Sequence, residues 1–139
     1  MHLEPYLSFD GTCEDALAFY ATVFGGEVTT LMRFEGTPMA DAMPPEERHR
    51  VMHANFVSPT LQFMASDSNA ATTCEGTRVT LSLSSKDVPA SQKIFEALCA
   101  GGTIQMPFGK TFWGAMFGVC TDKFGIDWMV NAELPAESR

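Results

Sequence analysis

The stretch FYATVFGGEV, residues 19–28, recurs in altered form as FEALCAGGTI, residues 95–104. Both stretches contain a phenylalanine, an alanine and a pair of glycines at matching places, and each has a β-branched residue two positions after the glycine pair. Glycine ends helices because it adopts the left-handed backbone conformation at little steric cost. The recurrence predicts a duplicated unit in which a helix ends at the glycine pair and a strand follows.

The sequence around the first copy predicts a strand, a helix and three further strands. Alternating apolar residues indicate the strands, and apolar residues from Cys13 to Phe24 recur at helical spacing. Thr12 is expected to cap this helix, with Asp15 in the capping-box position. The predicted elements are a strand at 3–9, a helix at 12–26 and strands at 28–34, 51–57 and 61–66, with a Pro/Met-rich loop up to about residue 50.

The sequence around the second copy predicts the same order. Its helix is expected to start after Asp87, to accept Pro89 in its first turn and to end at the second glycine pair. The predicted elements are a strand at 78–84, a helix at 86–102 and strands at 103–108, 114–120 and 126–131. Trp128 alternates with Ile126 and Val130, and we expect it to pack beneath a helix.

The two halves together predict an α+β fold made of two βαβββ modules. The modules are expected at 1–66 and 77–133 of a single domain (1–139), joined by a small, polar linker at 67–76. Paired modules of this kind form curved mixed sheets around a cup-shaped surface. Such a concave surface is a suitable place for a small molecule.

The composition excludes several classes of partner. Nine basic and seventeen acidic residues give a net charge of −8, and an acidic surface repels nucleic acids and anionic membranes. The sequence contains no apolar run of membrane-spanning length and no basic-then-apolar start. We expect a soluble cytoplasmic protein, in which the four cysteines stay reduced and none acts as a nucleophile.

Several motifs resemble one known family over nearly the whole chain. They are PYLSF (5–9), FYATVFGGEV (19–28), HANF (53–56), MASD (64–67), TFWG (111–114) and FGVCTDKFGIDWMVN (117–131). On these motifs the chain resembles the PhnB-like group of the vicinal-oxygen-chelate superfamily, which includes glyoxalase I, extradiol dioxygenases and bleomycin-resistance proteins. The resemblance implies the glyoxalase/bleomycin-resistance fold and a homodimer, and the linker would permit module exchange between the two chains.

The resemblance also implies where a metal would bind, and this sequence departs from that pattern. Aligned strand by strand, the superfamily's ligand positions fall on Pro5, Met64, Thr80 and Met129. None of these side chains is a suitable ligand for zinc, nickel or iron(II). Shifts of two residues, which keep the same strand face, offer Gln62, Ser66, Arg78, Asp127 and Asn131 but no set of three good ligands. We therefore expect neither a metal nor another cofactor.

Seven residues are the candidates for contacting a ligand. His53 and Asn55 share one strand face, and Trp113 lies at a hairpin mouth where an indole often edges a pocket. For each, an ordinary structural role is the alternative, and the loop methionines Met39 and Met43 fit either a lid or a dimer contact. The candidate ligand-binding residues are His53, Asn55, Met64, Thr111, Trp113, Met129 and Asn131.

Three functions remain open from the sequence. The first is metal-free binding of a small, partly apolar molecule in the cup. The second is a metal-dependent lyase, isomerase or dioxygenase that recruits His53, Asp127 or Glu4, and the third is a protein whose function is its dimer surface. The sequence does not decide whether any turnover occurs.

Overall fold

The computed structural model describes residues 4–67 and 79–135. The chain divides into two compact units, Met1–Cys74 and Glu75–Arg139, so the boundary falls within the predicted linker. Apart from Asp67, the linker lies outside the described residues.

Each unit has the predicted strand–helix–strand–strand–strand order. The first contains β1 (Tyr6–Phe9), α1 (Cys13–Phe24), β2 (Glu27–Arg33), β3 (Val51–Val57) and β4 (Gln62–Asp67). The second contains β5 (Leu81–Ser85), α2 (Val88–Cys99), β6 (Thr103–Lys110), β7 (Ala115–Thr121) and β8 (Asp127–Glu133). The α+β fold of two βαβββ modules is therefore confirmed, with element ends that differ from the prediction by a few residues.

Both units build a four-stranded mixed sheet with the same topology. The strand orders are β1-β4-β3-β2 and β5-β8-β7-β6. In each sheet the first strand runs parallel to its neighbour, with Leu7 opposite Ala65 and Leu83 opposite Val130, and the remaining pairs are antiparallel. The duplication that the glycine pairs predict thus extends to strand pairing.

The helix of each unit covers one face of its sheet and forms the core there. In the first unit Phe56 and Phe63 stack with ring centroids 5.0 Å apart, and Tyr20 of α1 meets Phe63 edge-on. In the second unit Trp128 is 1% exposed, and its indole N–H donates to Asp122 Oδ2 at 2.8 Å. The predicted burial of Trp128 is confirmed, and its polar group is satisfied inside the core.

The glycine pairs have the same physical role in both units. Gly25 and Gly101 take positive φ angles of 73° and 77°, which reverse the chain after each helix. A β-carbon on Gly26 would lie 2.6 Å from the carbonyl oxygen of Val57, and one on Gly102 would lie 2.2 Å from that of Thr121. The second glycine is required because the helix end presses directly on the end of the third strand in its unit.

Two buried carboxylates tie separate segments together. Asp67 accepts hydrogen bonds from the backbone N–H groups of Cys13 and Val51, both at 3.0 Å. Asp122 accepts from the N–H groups of Phe124 and Ile126, at 2.8 and 3.1 Å, which fixes the turn between β7 and β8. Asp67 therefore satisfies two buried backbone donors, and Asp122 satisfies two part-buried ones.

The prediction that the Thr12 side chain caps the first helix is wrong. Thr12 precedes α1, but its hydroxyl makes no capping hydrogen bond. The Asp67 carboxylate takes the Cys13 N–H instead, since the end of β4 lies at the start of the helix. The second helix begins as predicted, because Asp87 accepts the Ala90 N–H at 3.1 Å.

Alanine at the second glycine of either pair should destabilise its unit. We expect Gly26→Ala and Gly102→Ala to lower the free energy of unfolding by about 1–3 kcal/mol, because the added methyl group overlaps a backbone carbonyl. Urea unfolding followed by circular dichroism measures the change. Gly109→Ala is the control, since its nearest atom would be at 3.8 Å. Equal stability of all three variants would show that the close approach is unimportant.

Candidate functional site

The sheet face opposite α1 carries most of the first unit's candidate residues. The strand register places Tyr6, Met64, Asn55 and Thr30 in one row across all four strands. We call these four residues, together with His53, the first open face. His53 and Asn55 share this face, as the alternation in VMHANFV predicts, while Ala54 and Phe56 are buried on the other side.

Three side chains of the first open face are linked by hydrogen bonds. The Tyr6 hydroxyl lies 3.5 Å from His53 Nδ1, and His53 Nε2 lies 3.2 Å from Asn55 Oδ1. Tyr6 is 47% exposed and His53 is partly buried, so the group can be reached from solvent. Sequence reasoning identified His53 and Asn55 but missed Tyr6, whose partner lies 47 positions away.

The sheet face opposite α2 carries the second unit's candidates. Here the register places Ser82, Met129, Val119 and Met106 in one row. We call this row, together with Asn131, Phe117 and Trp113, the second open face. Trp113 lies in the connection between β6 and β7, is 50% exposed and meets the Phe117 ring edge-on at 5.4 Å. The face is therefore apolar and aromatic, with Asn131 opposite Phe117.

The hydroxyl of Thr111 is engaged in closing the β6–β7 hairpin. It donates to the carbonyl oxygen of Ala115 at 3.1 Å and accepts from the Ala115 N–H at 3.3 Å. This arrangement gives Thr111 a structural role that the sequence did not reveal. Its contact with a ligand stays a prediction.

The loop between β2 and β3 is anchored at both ends, which the sequence did not predict. It contains two short 3-10 helices, Pro38–Ala42 and Pro45–Glu47. Arg33, at the start of the loop, hydrogen bonds Glu14 at 2.8 Å and lowers the pKa of that carboxyl group. Arg50, at its end, pairs with Asp10. The geometry leaves the lid and dimer-contact interpretations of Met39 and Met43 both open.

The residues at the positions that the resemblance assigns to a metal do not fit one. Pro5 offers only its carbonyl oxygen, which already accepts the Met64 N–H at 3.0 Å. Met64 and Met129 present thioethers, and Thr80 a neutral hydroxyl, where imidazole or carboxylate is needed. Within 4–67 and 79–135, no group of three or more His, Cys, Asp or Glu side chains is placed to hold a metal ion.

The acidic residues that the enzyme alternative would recruit already have partners. Asp127 Oδ1 accepts the Thr121 hydroxyl at 2.6 Å, and Thr121 in turn accepts the Gln105 amide at 2.8 Å. Glu4 accepts the Gln62 amide at 3.1 Å. These bonds join Asp127 to β7 and Glu4 to β4.

A groove of about 410 Å³ lies beside the first glycine pair and contains none of the candidate residues. Its walls are the end of α1 and the turn after β3. The lining residues are Gly25, Gly26, Glu27, Val57, Ser58 and Pro59.

Comparison with known proteins identifies the family. Residues 1–131 match the family model described as 3-demethylubiquinone-9 3-methyltransferase. Protein YjdN of Escherichia coli (strain K12) is 35% identical, over 94% of this chain and 95% of that protein. The chain belongs to the PhnB-like family.

Solved structures agree with this family and with the fold. The crystal structure of PA1353 from Pseudomonas aeruginosa has a TM-score of 0.83 at 37% identity, covering 97% of this chain and 99% of that one. A PhnB protein from Bacillus cereus, titled a 3-demethylubiquinone-9 3-methyltransferase, has a TM-score of 0.79 at 26% identity, covering 97% and 100%. The fosfomycin-resistance protein FosX from Listeria monocytogenes has a TM-score of 0.66 at 13% identity, covering 100% of this chain and 97% of that one, and is similar in fold alone.

The cysteines of this PhnB-like chain are poor nucleophiles where the structure describes them. Burial raises the pKa of Cys13 to about 12, assisted by the nearby Asp67 carboxylate. Burial also raises the pKa of Cys120 to about 12, assisted by its hydrogen bond with Cys99, and raises that of Cys99. A thiol with a raised pKa is scarcely ionised near neutral pH. Cys74 lies outside the described residues.

The raised thiol pKa values predict a loss of stability at alkaline pH. The unfolded chain ionises its thiols near pH 9, whereas folded Cys120 holds its proton until about pH 12. The contribution to stability is therefore complete below pH 9 and declines as the pH rises from 9 towards 12. Urea unfolding at pH 8, 9.5 and 10.5 should show a smaller decline for Cys120→Ala than for the unmodified protein. Parallel declines would contradict the burial argument.

Proposed function

We propose that this PhnB-like protein binds a small, partly apolar molecule on the open faces of its sheets without a metal. The observation that carries the proposal is the pair Met64 and Met129. These thioethers occupy corresponding places in the central strands of the two sheets. The resemblance to the superfamily assigns metal ligands to these places. A soft, flexible thioether at these two positions makes adaptable contacts with apolar ligands in place of metal binding.

Exposed apolar side chains around the methionines support the proposal. Trp113 is half exposed on the second open face, and Tyr6 and Met32 are similarly exposed in the first unit. Burying such surface stabilises a complex by about 25 cal/mol for each Å² removed from water. Amide groups beside the apolar surface, from Asn55 and Asn131, give a ligand a fixed orientation.

No observation favours the methyltransferase in the family model's description. The β1–α1 connection is Asp10-Gly11-Thr12 and the β5–α2 connection is Lys86-Asp87. Neither is a glycine-rich turn of the type that holds a nucleotide cofactor. Binding, rather than group transfer, is the activity that the residues support.

We further propose that the protein acts as a cytoplasmic homodimer. Phe112 is 97% exposed, and its ring contacts Trp113 edge-on at 5.1 Å. A fully exposed phenylalanine beside a half-exposed tryptophan is typical of a surface that another molecule covers. None of the helices within 4–67 and 79–135 is long and apolar enough to cross a membrane.

A charge on the first open face should weaken the binding of uncharged apolar compounds. We expect ethylbenzene and similar aromatic fragments to bind the unmodified protein and to bind Met64→Glu at least about tenfold more weakly, because a carboxylate is costly to bury. Saturation-transfer NMR measures the binding. Val79→Glu is the control, since Val79 is 75% exposed and lies outside both open faces. If no fragment binds the unmodified protein, the proposed function is wrong.

Native mass spectrometry of tag-free protein tests the metal and the assembly together. We expect a dimer of the 15.2 kDa chain with no stoichiometric metal, even after incubation with zinc, nickel, manganese or iron(II). One metal ion bound per chain would favour the metal-dependent enzyme instead. A monomer at micromolar concentration would refute the homodimer but would leave ligand binding intact.

A further inference from the structure

The hydrogen bonds between Tyr6, His53 and Asn55 have a definite direction. The Oδ1 atom of Asn55 only accepts, so His53 Nε2 must carry the proton between them. In the neutral imidazole, Nδ1 then has a free lone pair, and the Tyr6 hydroxyl donates to it. The shorter bond, at 3.2 Å, orients the Asn55 amide.

This direction determines what Asn55 presents to solvent. Because its oxygen faces His53, its NH₂ group points away from the imidazole. The two N–H donors of this group have no hydrogen-bond partner in the described part of the chain, and the residue is only partly buried. The first open face therefore presents hydrogen-bond donors that a ligand can use.

The side chains in the same row as this donor carry no charge and include a thioether. Met64 lies directly opposite Asn55 on one side, and Tyr6 lies opposite Met64 in turn. On β2, Met32 pairs with His53 and is 46% exposed. No member of the row Tyr6–Met64–Asn55–Thr30 carries a charge, and the net charge of −8 disfavours anions.

We propose that the first open face binds an uncharged carbonyl compound, such as an aryl ketone, amide or lactone. The carbonyl oxygen accepts a hydrogen bond from the Asn55 side chain, and the apolar part lies on the thioether of Met64. His53 is a positioning residue, because it acts through the orientation of the Asn55 amide. This assignment rests on the proposed function and adds the ligand class and the group that recognises it.

The test uses two compounds of nearly equal shape, acetophenone and ethylbenzene, which differ by a carbonyl group in place of a methylene. Titrations followed by ¹H–¹⁵N NMR give both dissociation constants and map the residues that respond. We expect acetophenone to bind about three- to tenfold more tightly than ethylbenzene, with shifts centred on Asn55 and its neighbours. The increment is that of one added hydrogen bond.

Variants at position 55 separate the contribution of the hydrogen-bond donor to binding from that of the apolar surface. Asn55→Asp removes both N–H donors, and Asn55→Leu removes them without adding charge. Both should lose the preference for acetophenone, while Asn55→Leu keeps its affinity for ethylbenzene. Gln92→Glu is the control for the added charge in Asn55→Asp. It also replaces an amide by a carboxylate, but Gln92 lies exposed on α2, away from the first open face.

A variant at position 53 tests the positioning role. His53→Leu should weaken the binding of acetophenone but not that of ethylbenzene. It should also shift the side-chain amide resonances of Asn55. In the unmodified protein, ring-nitrogen NMR should show the proton on Nε2 of His53. A proton on Nδ1 would overturn the assigned direction.

The outcomes distinguish this inference from the proposed function. Three results would overturn this inference and leave the proposed function intact. They are equal affinity for the two compounds, a preference for acetophenone that survives both Asn55 variants, and chemical-shift changes confined to the second unit. If neither compound binds anywhere on the protein, the proposed function fails and the inference fails with it.

Discussion

The close approach between each helix end and the third strand of its unit is the constraint on which both units depend. A β-carbon on the second glycine of each pair would overlap a backbone carbonyl oxygen. That oxygen belongs to Val57 in the first unit and to Thr121 in the second. Gly26 and Gly102 make that approach possible, and the helix then packs on one face of its sheet. The uncovered face is what remains for binding. A packing requirement thus decides which side of each sheet is available to a ligand.

The two units share a backbone plan but have diverged in the groups that complete it. The first uses Asp67 to join the end of β4 to the starts of α1 and β3, whereas the second uses Asp122 within a single turn. Their open faces differ in the same way. The third residue of β3 is His53, in a hydrogen-bonded group, while the third residue of β7 is Phe117, packed against Trp113. One face suits a polar anchor and the other suits apolar contact.

In the proposed function, Met64 and Met129 stand where the resemblance to the superfamily expects metal ligands. Thioethers at Met64 and Met129 bind hard divalent ions poorly but adapt to varied apolar shapes. The buried thiols hold their protons, and Asp127 is engaged by Thr121. These observations support the proposal that the site recognises a ligand through hydrogen bonds and apolar burial.

The sequence by itself determined the element order, the duplication and the strand faces on which His53, Asn55 and Trp128 lie. These features depend on local periodicity and on glycine conformation, so a single segment carries the information. Only the tertiary structure decided that Asp67 replaces Thr12 at the helix start, that Thr111 closes a hairpin and that Tyr6 joins His53. The first and last of these contacts join residues about fifty positions apart, and all three depend on side-chain direction. No short-range pattern in the sequence records either property.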